Sequence, residues 1–166
     1  MPIPERDRDA FAAVQQAIIS VIQSDGYSFD LPDLFDYSWA RGMPDMQTIP
    51  FAKWQNMAFM GDKLAGVCIA DQLTKAMPNA TPHLYSVHSY GLVSNKTFAH
   101  ILKKASLLAV ASRGPVIVEP DLVKRGGDFF EAILSLMLNQ RGMEFVRSWL
   151  ESVFSPLICA AAQAYL

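Results

Sequence analysis

The sequence predicts an all-α fold in a single domain. Apolar residues recur at three- and four-residue spacing in several long segments, whereas strand signals are nearly absent. The chain has 166 residues, of which 51% are hydrophobic and 18% are charged. A chain of this length buries roughly 70% of its unfolded surface. We therefore expect one globular helical domain over residues 1–166, with an apolar interior or an oligomer interface.

The amino-terminal part is predicted to contribute one amphipathic helix. Apolar residues at helical spacing place it over residues 7–24, and it ends near Asp25-Gly26. Prolines and glycines are frequent in residues 25–50, so we expect loops there around a short helix near Leu31–Trp39. We treat residues 1–30 as an N-terminal helical extension that packs on the main body.

The middle of the chain is predicted to begin with a long, mostly buried helix. It runs from Phe51 to about Met77, because no proline interrupts the apolar stripe before Pro78. Residues 83–93 form either another helix or an irregular turn. Ser94 or Asn95 then caps the next helix, because a short side-chain oxygen at that position accepts a hydrogen bond from a free backbone N–H.

Two further helices are predicted near the carboxyl end, over residues 126–140 and 142–154. Gly142 lies between them and is able to take the left-handed conformation that ends a helix. The proline-containing residues 110–127 are predicted to be a loop, with residues 116–118 as the one plausible short strand.

Charge and cysteine content limit the classes of function. The net charge is −2, so the chain lacks the basic surface of a strong nonspecific nucleic-acid binder. Cys68 and Cys159 both lie in apolar surroundings, which predicts two buried free thiols.

The N-terminus resembles neither a secretory nor a transit peptide, and no uninterrupted apolar run approaches 18 residues. We expect an intracellular protein, cytoplasmic, nuclear or mitochondrial, without a membrane span.

Three acidic residues form a candidate metal site. Residues 55, 58 and 62 share one helix face, and Asp128 and Glu131 share another, because residues three or four apart in a helix are neighbours. If the two faces oppose each other, Asp62, Asp128 and Glu131 would surround a Mg²⁺ ion. Phosphodiester hydrolysis uses such a cation. Singly, each acid has a structural alternative; Asp128, for example, would interact with a helix dipole.

Three segments resemble the motifs of the ribonuclease III catalytic domain. Residues 55–62, Gln-Asn-Met-Ala-Phe-Met-Gly-Asp, are similar to the family signature Asn-Glu-Arg-Leu-Glu-Phe-Leu-Gly-Asp. Residues 92–99 resemble the family segment Leu-Val-Ser-Asn-x-x-Leu-Ala, and residues 124–133 resemble Lys-x-x-Ala-Asp-x-x-Glu-Ala-Leu. The resemblance extends over roughly residues 30–157, and the order and spacing of the motifs carry it.

The resemblance implies roles for individual residues. Asp62, Asp128 and Glu131 match three of the four carboxylates of the family's metal site, which takes Mg²⁺, with Mn²⁺ as a substitute. Glu131 would be the most sensitive of them. Ala58 replaces the fourth carboxylate, a Glu, and cannot bind metal. Gln55 replaces the other Glu of the signature by a neutral amide.

The resemblance also implies a partner subunit. Lys124 matches a lysine close to the metal site. Phe59 matches the aromatic residue that inserts into the partner of a homodimer, with a core phenylalanine as the alternative. The family's arginines before residues 92–95 are absent, and we expect no appended domain that binds double-stranded RNA. The three histidines match no metal-ligand spacing and are expected to be structural or surface residues: His83, His88 and His100.

These observations leave several functions open. The first is a homodimeric, Mg²⁺-dependent endoribonuclease acting on double-stranded RNA, with activity weakened or lost because of Ala58. The second is a non-catalytic RNA-binding or assembly protein with a ribosomal or RNA-processing partner, as in mitochondrial ribosomes. Ala58 is either natural or an engineered Glu-to-Ala change that traps an inactive enzyme. A purely structural helical domain is the remaining alternative, and there the three carboxylates would point to separate surfaces.

Overall fold

The computed structural model describes residues 7–33, 51–107 and 119–165, and within them the chain is all-α, as predicted. It contains no strand in those ranges. None of the helices there is long and apolar enough to cross a membrane. The strand predicted at 116–118 and most of the helix predicted near 31–39 lie outside the described residues. The helices are α1 (Arg8–Gln23), α2 (Phe51–Ala76), α3 (Pro82–Leu92), α4 (Asn95–Lys104), α5 (Glu119–Arg141) and α6 (Met143–Ala164).

The core lies between α2, α5 and α6 and is rich in aromatic rings. α5 packs against both α2 and α4, while α6 packs against α1 and α2. The rings of Phe98 and Phe130 stack with centroids 4.5 Å apart, and Phe154 packs edge-on against both. All three are fully buried. This aromatic cluster joins α4, α5 and α6, so it holds the carboxyl half of the chain together.

The N-terminal extension is part of this core. Apolar side chains on one face of α1, including Val14 and Ile18, are fully buried. The side-chain amide of Gln15 donates to the Thr97 hydroxyl at 2.9 Å, while the Ser94 hydroxyl donates to Oε1 of the same amide at 3.0 Å. Ser94 also caps α4 by accepting a hydrogen bond from the Thr97 N–H, which confirms the cap expected at 94 or 95. Polar and apolar contacts therefore fix α1 to the body of the domain.

Helix α5 begins at Glu119, so the prediction of a loop up to residue 127 was wrong over its last part. Pro120 lies in the first turn, where a missing backbone N–H costs no intrahelical hydrogen bond. Gly126 and Gly127 continue the helix and are buried. A Cβ atom at position 127 would lie 2.6 Å from Cγ of Asn95, so the second glycine lets the start of α4 approach. The glycines serve packing and do not mark a helix start.

Helix α6 continues to Ala164, ten residues beyond its predicted end. Pro156 lies inside it on the exposed side. An interior proline costs about 3 kcal/mol, but full burial of Leu157 and Ile158 contributes roughly 1.5–3 kcal/mol each. The free energy gained by burying these two side chains outweighs the cost of the proline, so the helix does not end at Pro156.

The interior also contains a buried histidine and a buried thiol. The ring of His88 is fully buried between two backbone carbonyls, with Nδ1 2.8 Å from the oxygen of Leu84 and Nε2 3.0 Å from that of Ala161. This histidine therefore ties α3 to α6 and has a structural role. Cys68 is buried, but Cys159 is exposed, so the prediction of two buried thiols was wrong for Cys159. Its neighbours Ile158 and Ala161 take the core-facing positions of α6.

Candidate functional site

The candidate site lies where α2 crosses α5. Gly61 is buried against the backbone of Glu131, and a Cβ atom at position 61 would lie 2.6 Å from the Glu131 Cα and still closer to its carbonyl. One turn farther along α5, the hydroxyl of Ser135 donates a hydrogen bond to the carbonyl of Met57. A glycine is required for this approach because any side chain would overlap backbone atoms that cannot move away.

The crossing brings together the three acids that the sequence singled out. Glu131 is only 9% exposed. Burial, followed by the negative charges of Asp62 and Asp128, raises the pKa of its carboxyl to about 7. Asp62 follows Gly61 directly, and Asp128 lies one turn before Glu131 on the same helix. Each aspartate is close enough to repel the Glu131 carboxylate, so the three acids form one electrostatic cluster.

Two lysines belong to the same cluster. The Lys124 ammonium lies 3.0 and 2.9 Å from the two carboxylate oxygens of Asp128. Lys63 Nζ lies 2.7 Å from Oδ2 of Asp62. Both positive charges lower the pKa of Glu131. Their effect is smaller than the increase caused by burial and by the two aspartates. Lys124 was a predicted site residue, whereas Lys63 was missed, because adjacent residues of a helix do not normally face each other.

The position of the missing fourth carboxylate is occupied by a buried methyl group. Ala58 is 7% exposed and lies one turn before Asp62 on α2. Gln55, one turn earlier, is exposed to solvent. Neither residue adds negative charge to the cluster.

The cluster has the donor chemistry of a Mg²⁺ site, but its carboxylates are not grouped as the ligands of one ion. Among the described residues, no three acidic, histidine or cysteine side chains are grouped closely enough to hold a metal. Asp62 and Asp128 are instead paired with lysines of their own helices. Carboxylate oxygens are nevertheless the ligands that Mg²⁺ takes, and a divalent cation would relieve the repulsion that raises the Glu131 pKa. The residues present therefore fit such a cation chemically.

Phe59 lies on the surface of the single chain and not in its core. Its side chain is 66% exposed, and Met60 and Val67 on the same helix are 46% and 56% exposed. Lys63 Nζ lies 5.3 Å from the centroid of the Phe59 ring. Large apolar side chains exposed together on one helix are typical of an interaction surface.

Comparison with known proteins gives a similarity to Ribonuclease 3. The chain is 27% identical over 103 residues to Ribonuclease 3 of Brucella canis, Brucella suis and Brucella melitensis. The match covers 60% of this chain and 42% of each relative, so the chain spans only about two fifths of their length. No protein-family model matches the chain. No solved structure matches it either. The similarity indicates a ribonuclease III-like domain.

Proposed function

We propose that this chain is a ribonuclease III-like, Mg²⁺-dependent endoribonuclease acting on double-stranded RNA, with activity weakened or lost because Ala58 replaces a ligand. The observation that carries the proposal is the buried Glu131 carboxyl beside two further acids at the glycine crossing of α2 and α5. The similarity to Ribonuclease 3 supports the reaction class.

The chain's own residues would prepare the site for a cation. Asp62, Asp128 and Glu131 would hold Mg²⁺, which when bound would activate a water molecule and stabilise charge on the phosphate. Glu131 must first lose its proton, since a carboxylate binds metal in its ionised form. Lys124 would then share Asp128 with the cation or turn its ammonium towards a phosphate oxygen.

The charge of the cluster explains why activity would be weak. Three ionised acids and two lysines leave one net negative charge, and an ionised glutamate at position 58 would leave two. Divalent cations bind more tightly as the negative charge of their ligands increases. Activity is therefore expected to require high Mg²⁺ or Mn²⁺.

The proposed active form is a homodimer. Phe59, Met60 and Val67 would be covered by a second copy of the chain, which would also remove a large exposed apolar surface. A duplex recognised through its A-form shape would contact both subunits, because the net charge of −2 gives a single chain little nonspecific attraction for RNA.

A non-catalytic RNA-binding or assembly role is the second candidate. The lysine pairs on Asp62 and Asp128, together with the methyl group at position 58, favour it. In that role the lysines would replace the cation as the positive charges of the cluster. The two candidates differ in whether the cluster binds a divalent cation at all.

The experiment compares Ala58→Glu with Ala58→Gln on a long RNA duplex, across a titration of Mg²⁺ and Mn²⁺. A58E is expected to cleave at lower metal concentration than the original chain. A58Q, which has the same size without the charge, is not. Thermal unfolding of both variants checks that the buried position tolerates the longer side chain. Inert A58E without cation binding in a folded protein would contradict the nuclease and favour the assembly role.

A further inference from the structure

We propose that Lys63 is a built-in counter-cation that competes with a divalent metal for Asp62. The inference rests on the proposed function, since it concerns the same carboxylate cluster. It assigns to one residue of this chain part of the reason why the cluster would bind a divalent cation weakly.

The contacts of Lys63 place its ammonium at the cluster. Its Nζ lies 2.7 Å from Oδ2 of Asp62, and its charge also acts on Glu131 in the facing helix. The ring of Phe59, 5.3 Å away, adds a cation–π contact from the preceding turn. One ammonium group therefore interacts with both helices that form the site.

Glu131 is the most buried acid of the cluster. It is 9% exposed, whereas the side chains of Asp62 and Asp128 are 43% and 31% exposed. A buried carboxyl normally has a hydrogen-bonding or charged partner. The ion pairs of Lys63 and Lys124, however, are with the two aspartates. A divalent cation would therefore neutralise the charge of Glu131, whereas Lys63 already neutralises that of Asp62.

The competition follows from charge and from the weakness of the ion pair. Lys63 and Asp62 are both substantially exposed, at 63% and 43% of their side chains. Exposed ion pairs contribute little free energy, so a divalent cation is able to displace the ammonium. The ammonium remains covalently close, however, and repels the bound ion. Removing its charge is expected to tighten cation binding about fivefold.

The experiment measures Mn²⁺ binding by calorimetry and by electron paramagnetic resonance, with no RNA present. It uses the A58E background, where the proposed function expects measurable affinity. Lys63→Met removes the charge but keeps an unbranched apolar side chain beside Phe59. Lys63→Arg keeps the charge. Lys75→Met is the matched control, because Lys75 forms a similar pair with Asp71 on α2, at 2.8 Å and away from the cluster.

K63M is expected to lower the Mn²⁺ dissociation constant about fivefold, while K63R and K75M leave it unchanged. If the A58E chain binds Mn²⁺ and K63M does not change that affinity, the role of Lys63 is overturned, but the proposed function is not. An equal gain from K75M would also overturn it, since the effect would then be one of general charge. Absence of Mn²⁺ binding in every folded variant overturns the proposed function as well.

Discussion

Gly61 of α2 lies directly against the backbone of Glu131 in α5, where these two helices cross. α2 and α5 are also the two longest helices of the described residues, with 26 and 23 residues. The contact that allows them to pack is therefore the same contact that brings Asp62 beside Glu131. Both the stability of the crossing and the assembly of the acidic cluster therefore depend on the absence of a side chain at position 61.

Gly61→Ala is expected to destabilise the domain by about 2 kcal/mol, because the new methyl group overlaps the Glu131 backbone and forces the helices apart. Chemical denaturation measures the change. Gly66→Ala is the control on the same helix, since a Cβ there meets nothing within 4 Å. It should leave stability unchanged or raise it by up to about 1 kcal/mol, because alanine favours the helix. Equal effects of both variants would contradict the close approach.

Glu131 is expected to make stability depend on pH between about 4.5 and 7. The folded protein keeps the Glu131 proton up to a pKa of about 7, whereas the unfolded chain loses it near 4.5. The folded state binds more protons in that window, so the free energy of unfolding falls as pH rises through it. Glu131→Gln, which stays neutral, should raise stability at pH 8 by about 2 kcal/mol after allowance for solvent screening, and change little at pH 4.

Urea unfolding at both pH values in the absence of divalent ions checks this prediction. Glu144→Gln serves as the control, because Glu144 is exposed on α6. A pH dependence that survives in E131Q would assign it to other groups.

Phe59→Asp is expected to convert the proposed homodimer to a monomer, since a charge cannot be buried in an apolar interface without a partner. Sedimentation measurements at micromolar concentrations report the mass. The free energy of unfolding of the monomer should change little, because the Phe59 side chain is 66% exposed in the single chain. Tyr165→Asp, at another exposed aromatic residue, should leave the mass unchanged. A wild-type chain that sediments as a monomer would contradict Phe59 as an interface residue.

Gln15→Ala is expected to cost about 1–2 kcal/mol of stability, because the hydroxyls of Ser94 and Thr97 lose a half-buried partner. Thermal unfolding measures the loss. The neighbouring Gln16→Ala removes only an exposed 3.4 Å contact to Ser20 and should stay within about 0.5 kcal/mol of the original chain. If both variants are neutral, α1 is held by its apolar face alone.

Periodicity was sufficient for the helices but not for their ends near proline and glycine. The bounds of α1 differ from their prediction by one residue at each end, and α2 begins at Phe51 as predicted and ends one residue before Met77. The start of α5 and the end of α6 were wrong by seven and ten residues. Both ends lie near a proline that the helix tolerates: Pro120 falls in the first turn of α5, where it costs no hydrogen bond, and packing outweighs the cost of Pro156 inside α6. A proline's cost is local, whereas the burial of Leu157 and Ile158 depends on the whole core.

For the candidate site, the sequence by itself determined which acids share a helix face, because helical spacing alone places Asp128 beside Glu131. It also showed that position 58 has no carboxylate. Only the tertiary structure decided that Gly61 admits the Glu131 backbone and that Lys63 turns back onto Asp62. It also placed Phe59 at the surface. These relationships depend on the distance between two helices and on rotamers, which spacing along a chain does not encode.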